Sequence, residues 1–507
     1  MNRIYFVALV MIGMTGCKKF LDTKPTDFLT PTQYFTTEEQ LSNGLTGVYD
    51  VLGSSELYSN AFTSRLGTEA DQGFYARSTF NGPQVYTHTS SDNLISGTWM
   101  RLYEGISRAN MVLASIDKPK MSDSARMQVK GEALFLRAFY YFMLVSNWGD
   151  VPLILEPVTS AAGNEVARTP ATEVYEQIVK DMKESEGLVK TITQIGFGGR
   201  ITKSAVRGML ARVYLYWAGK PLNDASKYND VKEWALKVME SGEHQLAEDY
   251  SQIFINYAQD KYDIRESIWE VEFWGNRIGN AYTETGWIGY TVGIATTDTE
   301  IGFSYGFINA TANLYRKYAE GDVRRDWAIA PFRYSGKTKV LHTAAQLYNR
   351  NAGKWRREYE TVLPKAPSTT PQNFAILRYS DVLLMYAEAE NALNGPTAEA
   401  LGAINLVRKR AKAAEYTSFA SKEAFLEELQ DERSRELCFE SLRKADLIRW
   451  GIFLPTMKAI GNEIQSEGGS YAYATIAFLN ASEKHLLFPI PAREMMLNRK
   501  LVQNPGW

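Results

Sequence analysis

The chain has 507 residues, 45% of them hydrophobic and 22% charged, an ordinary globular composition long enough for one large domain or a few smaller ones. Its formal net charge of −2 leaves no broad basic surface, which argues against nucleic acid as a partner. The two cysteines, Cys17 and Cys438, offer no disulfide framework, so stability must come from a large hydrophobic core.

The chain opens with Arg3, an apolar run over residues 4–12, then Gly13-Met14-Thr15-Gly16 before Cys17. The run is too short for a bilayer, which takes about 20 residues. It has the proportions of a secretory signal. Small residues directly before a cysteine fit lipoprotein processing, in which residues 1–16 are removed and Cys17 is lipidated. A plain secretory signal with a chance cysteine is the competing reading. Residues 17–36 carry Pro25, Pro31 and several Thr and Asp residues, and read as a tether into a body over 37–507.

Within the body the period is mostly helical. Thr37-Glu38-Glu39-Gln40 has capping-box spacing and opens a helix to about Leu52. Residues 53–96 mix Gly, Ser, Thr and Asn with scattered aromatics and read as a long loop region. Trp99, Leu102, Tyr103, Ile106, Met111, Val112 and Ile116 mark a helix over 98–116. The next, over 123–147, ends in ALFLRAFYYFMLVSNW, apolar on nearly every side and so expected between helical layers. Gly149-Asp150-Val151-Pro152 stops it, and Thr169-Pro170 starts another, with Thr as N-cap and Pro first in the helix. Residues 203–218 and 224–240 add two more.

Between about 260 and 375 the pattern breaks into Gly-, Thr-, Asn- and aromatic-rich stretches with strand-like pieces such as 268–273. Helices resume at 378–394, 396–413 and 421–450, with a short turn at 491–498. The expectation is a mostly α fold. Stacked helical pairs carry large irregular insertions and little strand, in an N-terminal part of about 37–258 and a C-terminal part of about 259–507. No clean repeat near 34 residues is visible, so periodicity alone does not establish tetratricopeptide-like units.

Motifs for chemistry are weak. His88, His244, His342 and His485 are scattered, with no HxxH or CxxC, so no zinc site and no cofactor is expected. GFGGRITKS at 196–204 lacks the Gly-Lys-Ser order of a phosphate loop and reads as a loop before a helix. No G-x-S-x-G elbow occurs. EELQDERSRE at 427–436 could in principle supply paired carboxylates. Opposite charges one helical turn apart, such as Asp431 and Arg435, more often build an ion network. Cys438, between Leu437 and Phe439, reads as a buried inert thiol.

Several segments, taken in order, resemble the SusD/RagB family of outer-membrane nutrient-binding lipoproteins. They are CKKFLDTKP (17–25), GEALFLRAFYYFMLVSNWGDVPL (131–153), RITKSAVRGMLARVYLYWAG (200–219), ILRYSDVLLMYAEAENALN (376–394), AINLVRKRA (403–411), ERSRELCFESLRKADLIRWG (432–451) and LLFPIPAREMMLNRKLVQNPGW (486–507). Ser434 stands where the family usually has Arg, Ser441 where it usually has Gly, and Lys444-Ala445 where an aromatic pair is common.

The resemblance implies a tetratricopeptide-like helical scaffold whose insertions carry the ligand surface. It implies capture of oligosaccharides, or of peptides in a minority of the family, for a SusC-like TonB-dependent transporter. It implies a lipid anchor in the outer membrane with the protein facing outward, and no catalysis. The competing function classes are an extracellular glycosidase on a helical scaffold and a helical adaptor that binds only protein.

A sugar ring offers apolar C–H faces edged by hydroxyls, so its site needs flat aromatic faces with polar groups around them. Residues 71–86 hold Asp71, Phe74, Tyr75, Arg77, Phe80, Asn81 and Tyr86, and residues 274–305 hold Trp274, Asn276, Tyr282, Trp287, Tyr290, Phe303 and Tyr305. Trp287 and Tyr290 are the first candidates, because Gly286 and Gly289 are expected to leave room for a ligand. Tyr75 and Tyr86 follow, with Asp71, Arg77 and Asn81 as hydroxyl partners. Trp99 is set aside as scaffold.

Overall fold

The computed structural model describes residues 34–66, 70–158, 165–274 and 285–507. Cys17 and the signal-like segment lie outside the described residues, as do Asn276 and Tyr282.

The first long helix, α1 (Glu38–Asp50), starts at the expected capping box: the Thr37 hydroxyl accepts the Gln40 backbone N–H, and the Gln40 side chain accepts the Thr37 N–H. Helix α2 (Asn93–Ala114) begins earlier than the expected 98, because Asp92 caps the Leu94 and Ile95 N–H groups. Ser96, Gly97 and Thr98 are poor helix formers and hide that start in the sequence.

Helix α3 (Asp123–Trp148) is buried without interruption from 131 to 145, as its all-round apolar character predicts. Helix α4 (Ala171–Leu188) corrects the Thr169 cap: Pro170 occupies the N-cap, and the Ala171 N–H is satisfied by Asp150 instead. Helices α5 (Lys203–Ala218), α6 (Tyr228–Met239) and α7 (Tyr250–Ala258) complete the first half.

After the irregular region come α8 (Tyr379–Asn394) and α9 (Ala398–Arg410). The expected helix over 421–450 is broken into α10 (Lys422–Leu437) and α11 (Arg443–Arg449). Phe439 (φ 60°) and Ser441 (φ 62°) turn the chain through the left-handed region. Between them Glu440 is buried in ion pairs with Lys354 and Arg378. Helix α12 (Phe453–Glu467) was not expected.

Helices pack as α1 on α2, α3 on α4, α5 on α6 and α8 on α9. Contacts of α2 with α3, α4 with α5 and α6 with α8 join these pairs into one array. The main hydrophobic cluster runs from Phe35 to Leu501. Strand is sparse: β1 (Gly73–Tyr75) pairs with β3 (Ile308–Ala310), β2 (Ser267–Val271) with β6 (Phe374–Arg378), and β4 (Phe332–Ser335) with β5 (Thr338–Leu341), all antiparallel.

The charged stretch in α10 is an internal ion network. Arg324, fully buried, binds Asp322, Glu432 and Glu436, while Arg378 binds Glu266, Glu436 and Glu440. Burial alone would raise the Glu432 carboxyl, but Arg324, Arg435 and Arg408 outweigh it and hold it at about 2. Asp381 is held at about 2 in the same way, by Arg433 and Arg212. Cys438 is a buried free thiol pushed up by desolvation, as expected of an inert cysteine.

Candidate functional site

The pairing of β1 with β3 brings the two aromatic-rich segments together. Gly73 lies opposite Ala310, Tyr75 lies opposite Ile308, and the Ala76 N–H donates to the Phe307 carbonyl at 2.7 Å. The short helical turn Ile288–Thr291 is stitched to the same piece of chain. The Tyr305 N–H donates to the Tyr290 carbonyl and the Phe307 N–H to the Thr291 carbonyl, both at 2.8 Å.

These bonds line up a row of rings. Trp287 meets Tyr290 edge-on at 6.1 Å, and Tyr290 meets Tyr305 edge-on at 5.0 Å. Tyr305 stacks on Phe307 at 4.7 Å with 9° between planes, and Phe307 stacks on Tyr75 at 5.2 Å. Phe80 closes the far end, edge-on to Tyr75 and Phe307, and Phe303 backs Tyr290 and Tyr305. Tyr305 is 39% exposed, and Trp287, Tyr290, Phe303, Phe307 and Phe80 are half-buried.

Polar groups edge the row. The exposed Arg77 lays its guanidinium over the Phe307 ring at 5.3 Å and donates to the Tyr305 carbonyl at 2.8 Å. Burial, with the adjacent Tyr305 hydroxyl, pushes the Tyr290 phenol up to about 12, so it stays protonated and able to donate. Arg357 anchors the row from beneath through the Phe303 carbonyl.

Three candidates are corrected. Asp71 is buried and bound by Arg443 through both oxygens, which leaves it no role toward a ligand in this arrangement. Tyr86 is buried, its ring packed against His485 and Phe453 and in ring contact with no member of the row. Tyr75 is only 4% exposed and supports the row from below. Phe74, in the same segment, is buried against Tyr348 and Tyr471.

Gly286 and Gly289 face protein and leave no room for a ligand. A Cβ on Gly286 would meet the Thr370 carbonyl and Phe273, and one on Gly289 would meet Gln372 and Thr370. Asn81 and Trp274 are exposed. Trp99 is buried against Trp148 and Tyr103, a scaffold position as read from the sequence.

The sequence reading missed Phe307, which joins the two halves of the row. Phe303, Tyr305 and Phe307 alternate in the sequence, but Gly306 (φ 56°) turns the chain through the left-handed region between the last two, so the stacking of Tyr305 on Phe307 follows from that turn and not from an extended strand. Tyr473, half-buried in the C-terminal part of the chain, meets the Tyr471 ring at 6.1 Å, and Tyr471 in turn meets Phe74 edge-on at 5.6 Å. Among the described residues, no group of three or more His, Cys, Asp or Glu could hold a metal.

A family model described as the SusD family matches residues 265–507, and one described as starch-binding, associating with the outer membrane, matches residues 19–215. The chain belongs to the SusD/RagB family. Among SusD/RagB relatives, a SusD-like protein of Formosa agariphila is 25% identical over 99% of this chain and 98% of its own. The starch-binding protein SusD of Bacteroides thetaiotaomicron is 24% identical over 99% and 97%. A SusD homologue of B. thetaiotaomicron superposes with a TM-score of 0.86 at 28% identity, covering 94% of this chain and 98% of its own. A laminarin-binding SusD-like protein superposes with a TM-score of 0.73 at 25% identity, covering 93% and 100%. The mostly helical architecture is therefore the SusD-like fold.

Proposed function

We propose that this chain is a non-catalytic, surface-anchored binder of oligosaccharides, which it captures on the row Trp287, Tyr290, Tyr305 and Phe307. The observation that carries the reading is the convergence of two distant segments into one partly exposed line of rings. Its members span flat faces, a free edge and polar neighbours, the chemistry a sugar chain requires. The names of relatives that bind starch or laminarin support a glycan as the ligand class.

The rest of the proposal follows the family. Cys17 anchors the chain through acyl groups in the outer membrane, with the body facing outward. Two or more chains hold firmly where one holds weakly. Among the described residues no helix is long and apolar enough to cross a membrane. The captured glycan passes to a SusC-like TonB-dependent transporter.

Electrophoresis through gels containing laminarin, starch and other polysaccharides tests the binding. Retardation by at least one polysaccharide, lost when Trp287 and Tyr305 are replaced by Ala, is expected, with no release of reducing ends. Failure to bind any glycan while binding peptides would replace the sugar reading. Steady production of reducing ends would make the protein an enzyme.

A further inference from the structure

Two arginines from separate stretches of chain meet at the Tyr75 end of the aromatic row. Arg77 lies over the Phe307 ring and donates to the Ala76 and Tyr305 carbonyls at 2.7 and 2.8 Å. Those partners are neutral, so the charge stays, and the remaining guanidinium N–H groups are left to donate. Arg65 ends the short helical turn Ala61–Ser64, which packs against the turn Ile288–Thr291 of the row. The Trp287 N–H donates to the Ser59 carbonyl at 3.0 Å beside it.

The half-buried Arg65 and the exposed Arg77 both stand close enough to the Tyr75 phenol to favour its ionised form. Burial outweighs them and pushes that phenol up to about 12, so it stays protonated, and among the described residues its hydroxyl has no hydrogen-bond partner.

Neither arginine forms an ion pair among the described residues. The carboxylates around the row are engaged elsewhere. Asp71 is held by Arg443, Glu360 by Arg357 and Glu300 by Lys337, while Asp298 accepts the Glu300 and Ile301 N–H groups. Two like charges near one phenol repel each other, and an anion received between them relieves that cost. The planar fork of a guanidinium matches the paired oxygens of a carboxylate or a sulfate ester. Neutral sugar hydroxyls keep Tyr290, Tyr305 and Asn81 as partners, so the arginines add a charge preference to the row and leave its sugar contacts in place.

We propose that the glycan captured on this row carries an anionic group, a carboxylate or a sulfate ester, which Arg65 and Arg77 receive at the Tyr75 end. The proposal rests on the row being a glycan site.

The test measures binding of the full chain carrying Cys17→Ala to polysaccharides in matched pairs. Polygalacturonate against its carboxyl-reduced form isolates a carboxylate, and dextran sulfate against dextran isolates a sulfate ester. In at least one pair the charged member should bind about tenfold tighter or more at low salt, with the difference shrinking as salt rises. Arg77→Gln should cut that preference about tenfold. Arg77→Lys, which keeps the charge but not the fork, should retain most of it. Arg65→Gln serves if Arg77→Gln fails to fold. Equal affinity or no binding within both pairs, while laminarin or starch binds, overturns the proposal and leaves the row a site for neutral glycans. So does a preference indifferent to the Gln variants, or one lost as fully in Arg77→Lys as in Arg77→Gln, which would make Arg77 a staple of the loop. Absence of binding to every glycan removes the glycan site itself and the proposal with it.

Discussion

Arg443 holds Asp71 by both carboxylate oxygens, with Nε and Nη2 donating at 2.8 and 2.9 Å, and both side chains are buried. The pair ties α11 to the chain entering β1 across 372 positions of sequence. It fixes the strand that presents Tyr75 and Arg77, so Asp71 acts on the aromatic row only through its support. Asp71→Asn leaves a buried guanidinium without its counter-charge and should cost about 3–5 kcal/mol. Urea unfolding measures the loss, and glycan affinity of the remaining folded protein should be unchanged. A selective loss of affinity at native stability would restore Asp71 as a ligand contact.

Removing a ring from the exposed part of the row should act in the opposite way. Trp287→Ala and Tyr305→Ala are each expected to weaken glycan binding by about 1–3 kcal/mol, the scale of a binding hot spot. Isothermal titration against whichever polysaccharide retards the protein, paired with a melting curve, separates the cases. A large drop in melting temperature would mean that the ring was holding the loop together.

The row also depends on backbone contact between its halves. A Cβ on Gly73 would meet the Ile308 side chain at 2.8 Å, Phe439 at 3.0 Å and the Asn309 carbonyl at 3.1 Å. Gly73→Val should therefore force β1 from β3, costing about 1–3 kcal/mol of stability and weakening glycan binding with it. Intact binding in a fully folded Gly73→Val protein would show that the two segments act separately.

Glu270 is a stability test with a defined pH window. Burial raises its carboxyl from 4.5 to about 7, against the hydrogen bonds from Ser267 and Asn373. The unfolded chain ionises first as pH rises, so the folded state loses stability between about 4.5 and 7 and no more above that. Glu270→Gln removes this penalty. Relative to the native protein it should gain about 1–3 kcal/mol at pH 8 over its difference at pH 4. A difference that stays constant across that window would mean the carboxyl titrates normally.

Cys17→Ala should leave the circular dichroism spectrum unchanged and release the protein from the membrane fraction, once transporter binding is excluded as a cause of retention. Full retention without the transporter would remove the lipid anchor from the proposal.

Much of the scaffold was legible because helix signals are local. The Thr37 capping box, the all-apolar run of α3, and the boundaries of α5 at 203–218 all rest on residues within a turn or two of each other. The break between α10 and α11 was not legible. It depends on Glu440 reaching Lys354 and Arg378, which lie 86 and 62 positions away.

The site divides along the same line. Composition marked 71–86 and 274–305 as aromatic loops, because composition is a property of neighbouring residues. Which rings face outward was decided only by β1 pairing with β3 and by the partners each side chain met in the folded chain. Asp71 found Arg443, Tyr86 found His485, and Gly289 found Gln372, while Tyr305 stayed 39% exposed. In these mixed aromatic and polar loops, unlike in the all-apolar α3, burial of a side chain depends on packing between distant segments, and the local pattern of residue types does not encode it.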